Sequence, residues 1–179
     1  MKLTPMRLSS ITLHHPVAGT TVTFAESDLT RAVAAASSWG DLSELLRLDL
    51  IAHAAVYLLA GRDPATGQQC LRVGNLDELS RLKERWNRCL SPHDEVLVLT
   101  TDTPVLDRDD VAHWFKRLAE RAWAAGRARV VRGRGPAGSP LPQARQEMLD
   151  LRLAYGRPLL AAAGCRWLEA DPSDARRAA

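Results

Sequence analysis

Cysteine, lysine, aromatic residues and long apolar runs are all scarce in this 179-residue chain. Cys70, Cys89 and Cys165 are odd in number, far apart and in no C-x-x-C spacing. That pattern argues against a disulfide framework and a structural zinc site, and a reducing compartment is the simplest fit. The longest apolar stretch, residues 50–61, is interrupted by His53 and is too short to span a bilayer. The first nineteen residues show no apolar run ahead of a small-residue cleavage site, so the sequence reads as a soluble cytoplasmic protein with no membrane partner. Aromatics make up 5%, five of them Trp, and only Lys2, Lys83 and Lys116 are lysines. The other 21 of 24 cations are arginine, and the net charge is +3, an excess that allows a polyanionic partner without demanding one. Arginine is the better bidentate phosphate ligand, but a GC-rich genome also writes an Arg- and Ala-rich chain, so the positions of the arginines have to decide.

With 46% apolar and 25% charged residues the chain can bury a core. Residues 1–50 read as a small module: β-type segments at 7–13 and 20–24 around a Pro16 to Gly19 turn, then two short helices. Ser27 or Asp28 would cap the first through Ala36, and Asp41 the second over 42–50. Residues 54–60 and 70–73 predict a hairpin across a Gly/Pro turn, 76–90 a helix, and 95–100 a buried strand. The clearest helix starts at Asp107, with Asp110 three residues on. It carries Val111, Trp114, Phe115, Leu118, Ala119 and Ala122 as one stripe and ends at Gly126. A basic run, 127–134, and a Gly/Pro connector, 133–142, precede a last helix that Pro158 breaks or restarts, and 165–168 reads as a final strand. This order predicts an α+β fold: a small three-stranded antiparallel sheet flanked by helices. The expected divisions are 1–50, a core over 51–136, a C-terminal helical extension over 137–170 and a flexible tail over 171–179.

Ala55-Val56-Tyr57, then Leu71-Arg72-Val73-Gly74 after the hairpin, then Arg81 in the next helix, and a long helix closing on Ala125-Gly126-Arg127, resemble the GIY-YIG nuclease family. The likeness is strongest over 55–136 and fades toward Leu168 and into the N-terminal module. It implies a phosphodiester endonuclease in which two tyrosines, an arginine and often a histidine surround the scissile phosphate, while a glutamate on the long helix holds one divalent cation. Such chemistry needs an activated nucleophile, a Lewis acid and cationic stabilisation of developing charge. Tyr57 and Arg81 match the family. The second tyrosine position is Arg72, the histidine position Arg85, the glutamate position Phe115, and the asparagine position before the connector Arg132.

A phenyl ring cannot coordinate a hard cation. Glu120, five residues on and about 140° around the helix, cannot replace it. Asp109 and Asp110 are sufficiently explained by the helix N-terminus. The expectation is therefore a catalytically degenerate protein with no metal or cofactor, serving as a nucleic-acid-binding or accessory subunit. Arg72, Arg81, Arg85, Arg132 and Arg134 are the candidate phosphate contacts. Residues 116–134 carry seven cations against Glu120 alone, a candidate backbone-binding stripe. This inert reading requires that no carboxylate stand beside Tyr57 and Arg81. The alternatives are a structural or protein-interaction module, docking through the N-terminal or C-terminal helices, and an active endonuclease with unforeseen metal ligands. Asp77 with Arg81 and Glu84 with Arg88 are also ordinary i,i+4 helix pairs, and Tyr57 can equally be a core tyrosine. Gly133-x-Gly135-x-x-Gly138 is interrupted by Pro136, and no helix opens at its third glycine, so a dinucleotide site is not expected. Trp123, off the main stripe, is the tryptophan expected at the surface.

Overall fold

The computed structural model describes residues 10–51, 54–76, 78, 79, 81, 91, 94–102, 106–133 and 135–169. Seven strands form a single mixed sheet: β1 (Thr12–His14), β2 (Thr23–Glu26), β3 (Ala32–Ser38), β4 (Val56–Arg62), β5 (Gln69–Asn75), β6 (Glu95–Thr101) and β7 (Arg129–Arg132). Their spatial order is β1-β2-β3-β6-β4-β5-β7. Every pairing is antiparallel except β5 with β7, which is parallel. The helices are α1 (Leu42–Leu45), α2 (Arg108–Ala125) and α3 (Gln143–Ala162). Leu76, Glu78, Leu79 and Arg81 are also helical, directly after β5.

The expected three-stranded antiparallel sheet is thus corrected to a seven-stranded mixed one. The hairpin β4–β5 and the buried strand β6 are where the sequence places them, with Tyr57 opposite both Gly74 and Val98. The sheet grows beyond them because β6 has a second edge, which β3 covers along its full length from Ala32↔Thr101 to Ser38↔Glu95. An unpaired edge there would leave a row of backbone donors and acceptors without partners. The first expected helix runs through Ala36 and so takes in residues 32–36, since alanine is the best helix former. They form a strand because both faces are covered: Ala34 and Ala36 pack into one core and Ala35 into the other. Small side chains let elements on either side approach closely, and tertiary packing overrides propensity. Asp41 does not cap α1; its carboxylate takes the Thr21 amide at 2.8 Å and the Thr21 hydroxyl at 2.6 Å.

Alternation along the strands sends successive residues to opposite faces. Val56, Leu58, Leu71, Val73, Leu97 and Leu99 pack under α2 and α3 with Trp114, Leu118, Leu149 and Leu160. Tyr57, Leu59, Val96 and Val98 pack on the other face with Trp39, Leu42, Leu45, Ile51 and Leu79. On α2, Asp107 and Asp110 form the reciprocal capping box the sequence predicts, and Gly126 closes the helix with φ 67°. Trp114 is fully buried and donates from Nε1 to the Leu149 carbonyl at 3.0 Å, tying α2 to α3. Pro158 does not break α3, which runs unbroken through Ala162. A proline inside a helix costs about 3 kcal/mol, and burial of Leu159 and Leu160 offsets this at about 1.5–3 kcal/mol each. Residues 165–168 are not a strand, although Cys165, Trp167 and Leu168 are buried in the core. No helix among the described residues is long and apolar enough to cross a membrane.

Candidate functional site

Tyr57 on β4 and Arg72 on β5 share a face because Tyr57 lies opposite Gly74, two residues beyond Arg72. Asn75 ends β5 and its side-chain oxygen accepts the Glu78 amide at 2.9 Å, which starts a helical turn and points Glu78 back over the sheet. The Tyr57 hydroxyl donates to Glu78 Oε2 at 3.2 Å and accepts from Arg72 Nε at 3.2 Å. Arg72 Nη2 closes the triangle on Glu78 Oε1. The pair is largely shielded from solvent, at 24% exposure for Arg72 and 14% for Glu78. Burial raises the Tyr57 phenol well above the ordinary tyrosine range, and the neighbouring Glu78 charge raises it further. The hydroxyl is therefore a neutral hydrogen-bond donor, poorly suited to accept a proton from water.

Two glycines make room for this cluster. A Cβ at Gly74 would lie 2.5 Å from the Tyr57 ring, and one at Gly133 would lie 2.3 Å from Glu78 Oε2. Gly133 arrives through β7, its amide donating to the Val73 carbonyl at 2.7 Å.

The other expected site residues do not all converge here. Arg81 is exposed on the helical turn that carries Glu78. Arg132 is exposed, and its register opposite Val73 puts it on the α2 side of the sheet, away from Arg72. Phe115 packs against the core of that same side, with Gly135 over its ring. Tyr57 belongs to the opposite core, so the ring does not stand beside the tyrosine. Arg85 and Arg134 lie outside the described residues. The requirement that no carboxylate stand beside Tyr57 is not met, because Glu78 stands there. With Phe115 on the opposite face as well, the expected ground for an inert centre is lost, and only the engagement of both Glu78 oxygens by Tyr57 and Arg72 speaks for one.

A divalent cation does not fit this donor set. Phe115 offers no oxygen, and both Glu78 oxygens are engaged, one by a guanidinium and one by a phenol. Among the described residues no group of three His, Cys, Asp or Glu could hold a metal.

The arginine run of 116–134 is substantially neutralised by residues remote in sequence. Arg117 forks onto Asp150 at 3.0 and 2.8 Å, Arg121 reaches Glu169 at 2.9 Å, and Arg129 reaches Asp63 at 2.5 Å. Lys116 and Arg132 are exposed.

Glu78 is the residue that reading the sequence missed. Its signal is Asn75-x-x-Glu78 straight after a strand, the spacing of a capping residue with an acid at the third helical position. Comparison with family models, with curated proteins and with solved structures finds no match to this chain.

Proposed function

We propose that this chain is a GIY-YIG-like protein whose cutting centre is replaced by an internal ion pair, and that it serves as a nucleic-acid-binding or accessory subunit. The observation that carries this reading is the closed triangle of Tyr57, Arg72 and Glu78. The tyrosine that matches the family's first motif is held protonated, and the one carboxylate beside it is saturated by an arginine at the family's second tyrosine position. A half-buried guanidinium supplies the positive charge there, and it offers no vacant coordination position or bound water to attack a phosphorus. Exposed Arg132 on β7, Lys116 on α2 and Arg81 on the helical turn after β5 supply contacts to a phosphate backbone.

The test is fluorescence anisotropy with labelled single-stranded DNA and RNA over a salt series, beside incubation of plasmid with Mg²⁺ or Mn²⁺. The expected result is binding at low salt, no cleavage, and a salt slope reduced by about one for each of Arg81→Ala and Arg132→Ala. Cleavage that disappears in Tyr57→Phe overturns the inert reading. Absence of binding at low salt overturns the nucleic-acid role.

A second reading, a protein-interaction module, is favoured by one specific observation. Trp123 is 70% exposed on α2, while Arg117, Arg121 and Arg129 near it in sequence are spent on internal carboxylates. Under this reading Trp123→Ala abolishes partner association and leaves nucleic-acid titrations flat.

A further inference from the structure

Away from the tyrosine cluster, across the sheet, α2 and α3 enclose a groove of about 360 Å³. Arg117 and Arg121 are one turn apart on α2. Asp150, Leu153, Ala154 and Arg157 follow at helical spacing on α3, so their side chains share one face. The floor is apolar, from Leu118, Leu153 and Ala154.

A carboxylate already sits in a two-arginine clamp at this groove. Arg157 donates from Nε at 3.2 Å and Nη2 at 2.9 Å to Glu169 Oε1, and Arg121 donates from Nη2 to Glu169 Oε2 at 2.9 Å. Arg121 also holds the Leu168 carbonyl through Nε at 3.0 Å, which fixes its guanidinium independently of Glu169. Arg117, forked on Asp150, completes the wall.

From this arrangement we infer that the α2–α3 groove is a site for a dianionic phosphate group, with Glu169 as an internal occupant that the ligand displaces. The inference does not rest on the proposed nucleic-acid role. Glu169 is 53% exposed and its arginines are 43% and 33% exposed, so its pairs are screened and individually weak. With Glu169 swung out, Arg117 stays matched by Asp150 and by Glu120 at 3.6 Å, and Arg121 and Arg157 are the two guanidinium groups left to face a dianion. A tetrahedral phosphate presents more acceptor oxygens than a carboxylate to two planar forks. The apolar floor suits a group esterified to that phosphate, so phosphomonoesters are favoured over backbone diesters, which carry a single charge.

The experiment is isothermal titration of the full chain with inorganic phosphate, phenyl phosphate and dimethyl phosphate. Phenyl phosphate is expected to bind most tightly and dimethyl phosphate not at all. Glu169→Gln is expected to tighten phenyl phosphate binding by about twofold to fivefold, the range that removing an exposed internal competitor allows. Arg157→Gln, which leaves the Arg121 hold on Leu168 in place, is expected to weaken it at least about tenfold, with circular dichroism confirming the fold of each variant. If inorganic phosphate equals phenyl phosphate, the ligand is free phosphate and the ester part is wrong. The inference is overturned if neither wild type nor Glu169→Gln binds, if Glu169→Gln binds no better, if Arg157→Gln binds undiminished, or if dimethyl phosphate matches the monoester.

Discussion

The two faces of one sheet are built by different physical means. Under α2 and α3, β4, β5 and β6 present the aliphatic residues Val56, Leu58, Ala60, Leu71, Val73, Leu97 and Leu99, and Trp114 locks the helices onto them. On the opposite face the same strands supply Tyr57, Leu59 and Arg72, and the packing gives way to a charged triangle at the end of β5. One face is stabilised by removing apolar surface from water, which is insensitive to the direction of any one group. The other depends on every partner being present, because a half-buried charge left alone is costly. Both faces thus bury apolar residues, and the second adds a half-buried ion pair to its packing.

The largest test of this division is Trp114→Ala, expected to lower unfolding free energy by about 3–5 kcal/mol in denaturant titrations. A loss below about 1 kcal/mol would mean that the α2–α3 face is not the principal core. Next in size, Glu78→Gln strips Arg72 of its countercharge and is expected to cost about 1–3 kcal/mol. The double variant Arg72→Leu with Glu78→Leu should recover much of that loss, since a buried ion pair is more readily replaced by apolar groups than halved. If the double variant is as unstable as the sum of its singles, the pair is not coupled.

Tyr57 offers a spectroscopic test of the same face. Its folded-state pKa is raised, so its contribution to stability is complete below the ordinary value of about 10. That contribution is lost as pH climbs from there through the raised folded-state value. Phenolate absorbance should show a late-titrating component that vanishes in Tyr57→Phe and moves to lower pH in Glu78→Gln. An alkaline titration unchanged by Tyr57→Phe would separate the hydroxyl from its assigned surroundings. The smallest effect belongs to Trp123→Ala, an exposed residue of α2, which should shift stability by no more than about 0.5 kcal/mol. A larger loss in thermal melts would give the solvent side of α2 a structural weight that its 70% exposure does not predict.

Helix α2 was legible because its signals are local: Asp107 and Asp110 three residues apart, a stripe at helical spacing, and Gly126 where the left-handed turn falls. The hairpin β4–β5 and strand β6 were legible from apolar runs and the turn between them. What escaped is non-local. Ala32 to Ser38 has helical composition and becomes a strand only because β6, remote in sequence, and packing on both faces demand it. β7 reads as part of a basic run because half of its four residues are arginine, and nothing local announces a parallel partner. Pro158 reads as a stop when the burial of Leu159 and Leu160 is unknown. At the site, Tyr57 and Arg72 were named from the sequence, but their alliance with Glu78 required the helical turn that Asn75 starts. The arginine stripe was overestimated because Asp63, Asp150 and Glu169, which neutralise it, lie outside the run.

The parallel strand at the sheet edge also sets an order of assembly. Cys70 and Arg129, which meet where β5 and β7 begin to pair, are 59 positions apart, whereas β4 and β5 are joined by a short turn. Closing so long a loop is slow compared with zipping a hairpin. On loop closure alone β7 is expected to dock after the β4–β5 hairpin, bringing Gly133 to the Glu78 carboxylate after Tyr57 and Arg72 are already side by side. In that order the tyrosine meets its arginine before the glycine backbone encloses them.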